Sequence, residues 1–209
     1  MSRLPREIEV VRAIHDKILQ KSMQLIAKHG FQSLTMRMLA HESGMTAANI
    51  YNYFSGKDEI FLRIVISGYG LLAAELDAAM NRTADPYAKA REMMLAFVRF
   101  GLTRWDHYQL MFVVPAPHYA DFKDTSLESL AAEERRHSLQ VLATVYAVLE
   151  NLTGDFMSET ERKILVTEVW SMLHGWITLY HRGILSYITA EPEKYVEPLV
   201  DDFIARFRK

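Results

Sequence analysis

A chain of 209 residues, half of them hydrophobic and 24% charged, can bury a sizeable core and is too apolar for wholesale disorder. It contains no cysteine, which excludes a disulfide framework, a thiolate metal site and a cysteine nucleophile. The net charge of −2 conceals an asymmetry. Residues 1–63 hold nine Lys/Arg against six Asp/Glu, whereas residues 64–209 hold 15 against 20. A basic head before an acidic body suits an anionic partner, nucleic acid first. Residues Met1–Arg12 lack the apolar core of a secretory signal, and no stretch reaches the roughly 20 apolar residues that span a bilayer. The expected setting is cytoplasmic, with no membrane partner.

Helical periodicity runs nearly from end to end. Ile14, Ile18, Leu19, Met23, Leu25 and Ile26 recur at spacings near three and four, and Gly30 stops the run. Thr35 opens a short helix closed by Gly44, and Thr46 opens another over Ala47–Tyr53; both threonines stand where an N-cap belongs. Ser55-Gly56 punctuates the chain before Asp58-Glu59 start a helix reaching about Met80, in which Gly68 and Gly70 mark a bend or a close contact. Asp85-Pro86 restarts the chain with a helix to about Thr103, followed by a short aromatic one from Trp105 to about Val113. After Pro115 and Pro117 come long helices near 126–151 and 159–188, the second opened by Ser158-Glu159-x-Glu161. Pro192 and Pro198 bracket the start of a last helix ending near Phe207. No strand, repeat or low-complexity tract is expected, and the fold class reads as all-α.

Residues 35–57 carry the functional signal. A helix of eight residues, a turn holding Gly44 and a second short helix have the spacing of a helix-turn-helix. Leu39, Ala40, Met45 and Ile50 can pack the pair together, leaving Ala47, Ala48, Asn49, Asn52 and Tyr53 on the open face. Spacing alone fits a DNA-binding pair, whose second helix enters the major groove, and equally a generic pair of short helices.

The run Ile18-Leu19 to Leu25-Ile26, then His29-Gly30-Phe31, Thr35, Leu39-Ala40, Ser43-Gly44-Met45-Thr46, Ile50 to Phe54 and Lys57-Asp58-Glu59 resembles the N-terminal domain of tetracycline-repressor (TetR) family transcription regulators. The resemblance covers about 50 residues in order without a gap. It implies an N-terminal helix-turn-helix three-helix head (1–57) that binds double-stranded operator DNA. It also implies a C-terminal helical bundle (58–209) that holds a small-molecule effector and the homodimer contact. By the same resemblance Thr35, Thr46 and Lys57 meet phosphate, Tyr51 and Tyr53 meet backbone or base, and Arg37 meets either guanine or phosphate. Ala47-Ala48 stand where many relatives carry a lysine and a glycine.

In the body, Trp170-Ser171-Met172-Leu173-His174-Gly175 resembles the Trp-x-x-x-His-Gly signature of one C-terminal subgroup. Phe97, Phe100, Trp105, Tyr108, Met111, Phe112, Tyr146, Trp170 and His174 are large apolar groups, several with polar tips. They read either as a filled core or as the lining of a site for a mostly apolar effector. His174 reads first as a structural histidine and next as an effector contact, and Gly175 as a point of close helix approach. No metal or other cofactor is expected, because His174 and His181 stand roughly 10 Å apart along a helix and no two histidines are three or four residues apart. Without a phosphate loop or an activated nucleophile, an enzyme is not expected. The remaining alternative is a helical ligand-binding or adaptor protein that does not bind DNA.

Overall fold

The computed structural model describes residues 5–154 and 157–208, with side chains from Glu9 onward. Arg3 and the side chain of Arg6, counted in the basic head, lie outside the described residues. These residues form nine α-helices and no strand. They are α1 (Pro5–His29), α2 (Met36–Ser43), α3 (Ala47–Tyr51), α4 (Lys57–Met80), α5 (Pro86–Thr103), α6 (Trp105–Phe112), α7 (Glu128–Thr153), α8 (Glu159–His181) and α9 (Glu193–Ala205). None of them is long and apolar enough to cross a membrane.

Local chemistry explains most of the boundaries. Thr35 Oγ1 accepts the Met38 amide and Thr46 Oγ1 the Asn49 amide, each at 3.1 Å, so both threonines cap the helices they precede. Gly44 takes a left-handed conformation at φ 66°, and the Met45 amide reaches back to Ala40 at 2.9 Å, closing α2. Asp85 caps α5 through Ala88 at 2.8 Å, and Ser158 and Glu161 form a reciprocal capping box on α8.

Three ends differ from expectation. The third helix stops at Tyr51 and not Tyr53, because the amides of Asn52 and Tyr53 bond three residues back in a tightened turn. The eighth stops at His181, where Gly183 turns left-handed at φ 68° before a 3-10 segment, Ile184–Tyr187. Pro198 lies inside α9 rather than at its start, leaving one backbone acceptor of that helix without its usual donor.

The described chain packs as two compact units, one from the segment up to Gly68 with Asp106–His137, the other from Tyr69–Trp105 with the segment from Ser138 onward. The first half of α4 thus falls in the first unit, and α6 and the start of α7 pack on it. A Cβ at Gly68 would lie 2.5 Å from the Met111 sulfur, and Leu62 shares a buried cluster with Phe122 and Ala131. In the second unit, α5 packs on α8 and α9. Arg91 of α5 binds Asp201 at 2.6 Å and Glu197 at 2.8 Å, and these two hydrogen bonds raise its already high pKa. Among the described residues of one chain, a Cβ at Gly175 would meet nothing within 4 Å, so the close approach expected there is not made within the chain. The tight glycine of the second unit is Gly101, 2.7 Å from Ile177 Cδ1 by the same measure.

Ser43, 1% exposed beside the α2–α3 turn, has a hydroxyl with no hydrogen-bond partner among the described residues. Burying it unpaired costs about 1–3 kcal/mol. Ser43→Ala is expected to raise the unfolding free energy by about 1 kcal/mol, measured by urea denaturation.

Candidate nucleic-acid interface

The head is built around a core of Ile18, Leu25, Ile26, Phe31, Leu34, Leu39, Ile50 and Phe54, all buried. Burying these residues orients the rest. Thr35, Arg37, Thr46, Ala48, Asn49, Tyr51 and Asn52 are exposed, while Ala47, Tyr53 and Lys57 are half-buried. The sequence-expected contact residues therefore share one unit, and most of them are open to a partner. Tyr51, 54% exposed, is no core residue, whereas Phe54 at 1% is one.

Four of these side chains carry structural duties as well. Each capping threonine already spends its oxygen on a helix amide. Lys57 Nζ donates to the carbonyls of Phe31 and Gln32 at 3.3 and 3.2 Å and stands 4.8 Å over the Phe31 ring. It staples the start of α4 to the turn after α1 and keeps one N–H for a further acceptor. Tyr53 is held edge-on against His15 at 5.8 Å, and His15 also meets the Phe54 ring at 4.3 Å.

Sequence reasoning missed the residue that fixes the exit from α3. Glu59 Oε2 accepts both the amide and the hydroxyl of Ser55, at 2.8 and 2.9 Å, while Oε1 accepts from Arg63 Nε at 2.7 Å. The signal was present as Ser55 and Arg63 four residues either side of one carboxylate. Burial disfavours the charge of Glu59, but the Ser55 and Arg63 hydrogen bonds outweigh it and hold the pKa below the ordinary glutamate value. The carboxylate therefore contributes stability that is present at neutral pH and lost as pH falls through the lowered folded value. Glu59→Gln is expected to flatten the acid limb of the head's stability profile, measured by thermal melts from neutral to acid pH.

The residues expected to line an effector site divide between the units. In the first, Tyr108 is fully buried, which pushes its hydroxyl pKa up, and its ring meets Phe112 at 5.0 Å. Met111 packs on Gly68. In the second, Phe100 is fully buried, while Phe97, Tyr146 and His174 are half-buried. Trp105 stacks on His181 at 3.9 Å, and His181 Nε2 donates to the Gly101 carbonyl at 2.9 Å. Burial lowers the His174 pKa, leaving a neutral imidazole at pH 7. Trp170 is 48% exposed on the outer face of α8, an exposure that does not suit an enclosed lining.

A capped helix pair joined by a left-handed glycine, with a polar open face and set in an all-α chain, is a helix-turn-helix. Residues 18–64 match the family described as bacterial regulatory proteins, tetR family, and residues 90–203 match the tetracyclin repressor-like C-terminal domain. The chain belongs to the tetracycline-repressor family of bacterial regulatory proteins. It is 28% identical over 196 residues to the HTH-type transcriptional regulator BetI of Brucella anthropi, covering 90% of each chain. It is 26% identical over 119 residues to the HTH-type transcriptional regulator Mb1846 of Mycobacterium bovis, covering 56% of this chain and 51% of that one. The match thus spans about half the length of the latter relative. Among solved structures it resembles the TetR family regulator PfmR from Thermus thermophilus, with a TM-score of 0.65 at 19% identity over 91% of this chain and 96% of that one.

Proposed function

We propose that the protein acts in the cytoplasm as a transcriptional regulator, in the first instance a repressor, without catalytic activity. As a homodimer it binds a pseudo-palindromic operator and is released by a small, mostly apolar effector. The observation that carries this reading is the outward face of the head, where Asn49, Tyr51 and Asn52 are exposed beside the exposed Thr35 and Arg37. In the proposed division, residues 1–57 contact DNA through Thr35, Arg37, Thr46–Asn49, Tyr51–Tyr53 and Lys57, and residues 58–209 serve dimerisation and effector binding.

Dimerisation through α7 and α8 is supported by the apolar side chains these helices expose. Ile164, Trp170 and Leu179 of α8 and Leu139 of α7 are all open to solvent, and nothing stands within 4 Å of a Cβ placed on Gly175 of α8. A two-fold contact there would present two copies of α3 to half-sites about 34–36 Å apart, or a multiple of that. Phe97, Phe100 and the neutral His174 support a mostly apolar effector with one polar group. Such an effector releases the operator only if it binds the DNA-free arrangement more tightly.

Capture of genomic fragments by the purified protein, followed by anisotropy titration of the recovered site, tests the reading. The expected result is site-selective binding that weakens steeply with salt, with light scattering giving a dimer. Binding to no duplex, or binding as a monomer, would overturn it. A thermal-shift screen of apolar compounds, with hits titrated against the DNA complex, tests the effector.

A further inference from the structure

A shallow groove of about 320 Å³ lies between the end of α1 and α2. Leu25 and Met38 give it an apolar floor, and its polar rim is His29, Thr35, Arg37, His41 and Glu42. Arg37 and His41 are four residues apart on α2 and so share a face, while His29 closes the last turn of α1. All three are exposed. Arg37 brings a planar fork of five donors, and each imidazole brings at least one N–H. The Thr35 oxygen accepts the Met38 amide and keeps its own O–H as a further donor on the rim. The carboxylate of Glu42 stands 3.4 Å from His41 Nδ1. None of the described residues of α3 lines this groove.

The last observation separates two roles for Arg37. When a helix-turn-helix docks, its second helix meets the base edges and its first crosses the sugar–phosphate backbone. A guanidinium in a groove formed by α1 and α2 alone belongs with the backbone. A base edge offers acceptors in one plane, whereas a phosphodiester offers oxygens in several directions, which suits donors carried on one groove by two helices. We propose that Arg37, with His29 and His41, holds one operator phosphate in the α1–α2 groove, so that Arg37 positions the head and reads no base. Glu42 opposes the phosphate charge and tempers the affinity. This inference rests on the DNA-binding reading given above.

The test uses the full chain and fluorescence anisotropy with two labelled probes: a duplex selected by the wild-type protein from a random library, and a duplex of scrambled sequence. Arg37→Ala is expected to weaken binding to both by a similar factor, about tenfold. It should also make the salt dependence shallower by about one unit and leave the ranking of single-base variants unchanged. Arg37→Lys should restore the salt dependence without restoring full affinity, because it keeps the charge and loses the fork. His29→Ala and His41→Ala should each weaken both probes, with losses that do not add to that of Arg37→Ala because the three groups share one partner. Glu42→Gln should tighten both probes, an effect that a merely structural role for this rim does not produce. Replacing the contacted phosphate by an uncharged methylphosphonate should remove the effect of Arg37→Ala. A changed ranking at one guanine in Arg37→Ala would overturn the proposal in favour of base reading. Unchanged affinity in the His29, His41 and Glu42 variants would overturn the shared phosphate. Failure of the wild-type protein to bind either probe at low salt would instead overturn the DNA-binding reading itself.

Discussion

Phe54→Ala is expected to unfold the head and abolish DNA binding, at a cost of about 3–5 kcal/mol. The ring is 1% exposed, stands 4.3 Å from His15 of α1, and sits immediately before the turn that Glu59 ties down. Its amide also bonds the Ile50 carbonyl at 3.1 Å, so the residue closes α3 and wedges it against α1 at once. Truncation leaves a cavity at the point where α3 has no length of its own to fall back on: five residues cannot form a stable helix without packing. The loss is a large share of the roughly 5–15 kcal/mol that stabilises a typical domain. Tyr51→Ala, three residues earlier but 54% exposed, should shift the unfolding free energy by no more than about 0.5 kcal/mol while weakening DNA binding. Urea denaturation and anisotropy on the two variants separate a residue that shapes the reading element from one presented by it. Equal destabilisation by both would contradict that division.

Gly101→Ala is expected to lower the unfolding free energy by about 1–3 kcal/mol, through overpacking between α5 and α8. The added Cβ would lie 2.7 Å from Ile177 Cδ1 and 2.8 Å from Cγ2. Ile177 is fully buried and β-branched, with one strongly preferred rotamer in a helix, so it cannot swing aside. The helices must separate instead, which stretches the His181–Gly101 hydrogen bond and disturbs the Trp105 stack. Trimming the neighbour, as in Gly101→Ala with Ile177→Val, should recover part of the loss. Gly70→Ala in α4 should act with the opposite sign, stabilising by about 0.5–1 kcal/mol, because its Cβ meets nothing within 4 Å and alanine favours a helix. Denaturation midpoints of the three proteins decide the matter, and a Gly101→Ala protein as stable as wild type would show that α5 and α8 are not in close contact there.

Most helix starts in the first part of the chain, and the order of all nine elements, were legible without coordinates. Thr35, Gly44, Thr46, Asp85-Pro86 and Ser158-x-x-Glu161 act over three or four residues, and a signal so short is complete within the sequence that carries it. Apolar periodicity misled where it ran past such a signal. Ile184 and Leu185 continue the pattern of α8, yet Gly183 ends the helix by its left-handed conformation. The resemblance from Ile18 to Glu59, inside the matched residues 18–64, was legible for the same reason of contiguity.

Local pattern thus sufficed for an all-α chain with a capped helix pair in its head, and for an ordered set of polar residues on and around that pair. Three-dimensional packing was needed to tell which glycine of the second unit lies against a neighbouring helix of the chain, Gly101 and not Gly175, and that Trp170 faces outward. It was also needed to show that Lys57 is already engaged with two carbonyls some 25 residues away, and that Arg37 opens onto a groove shared with α1. Helix periodicity tells which residues share a face, but whether that face meets solvent, a ring or a backbone carbonyl depends on residues far off in the chain. Those partners are chosen by burying the apolar set as a whole, a collective quantity that no local pattern of residues contains.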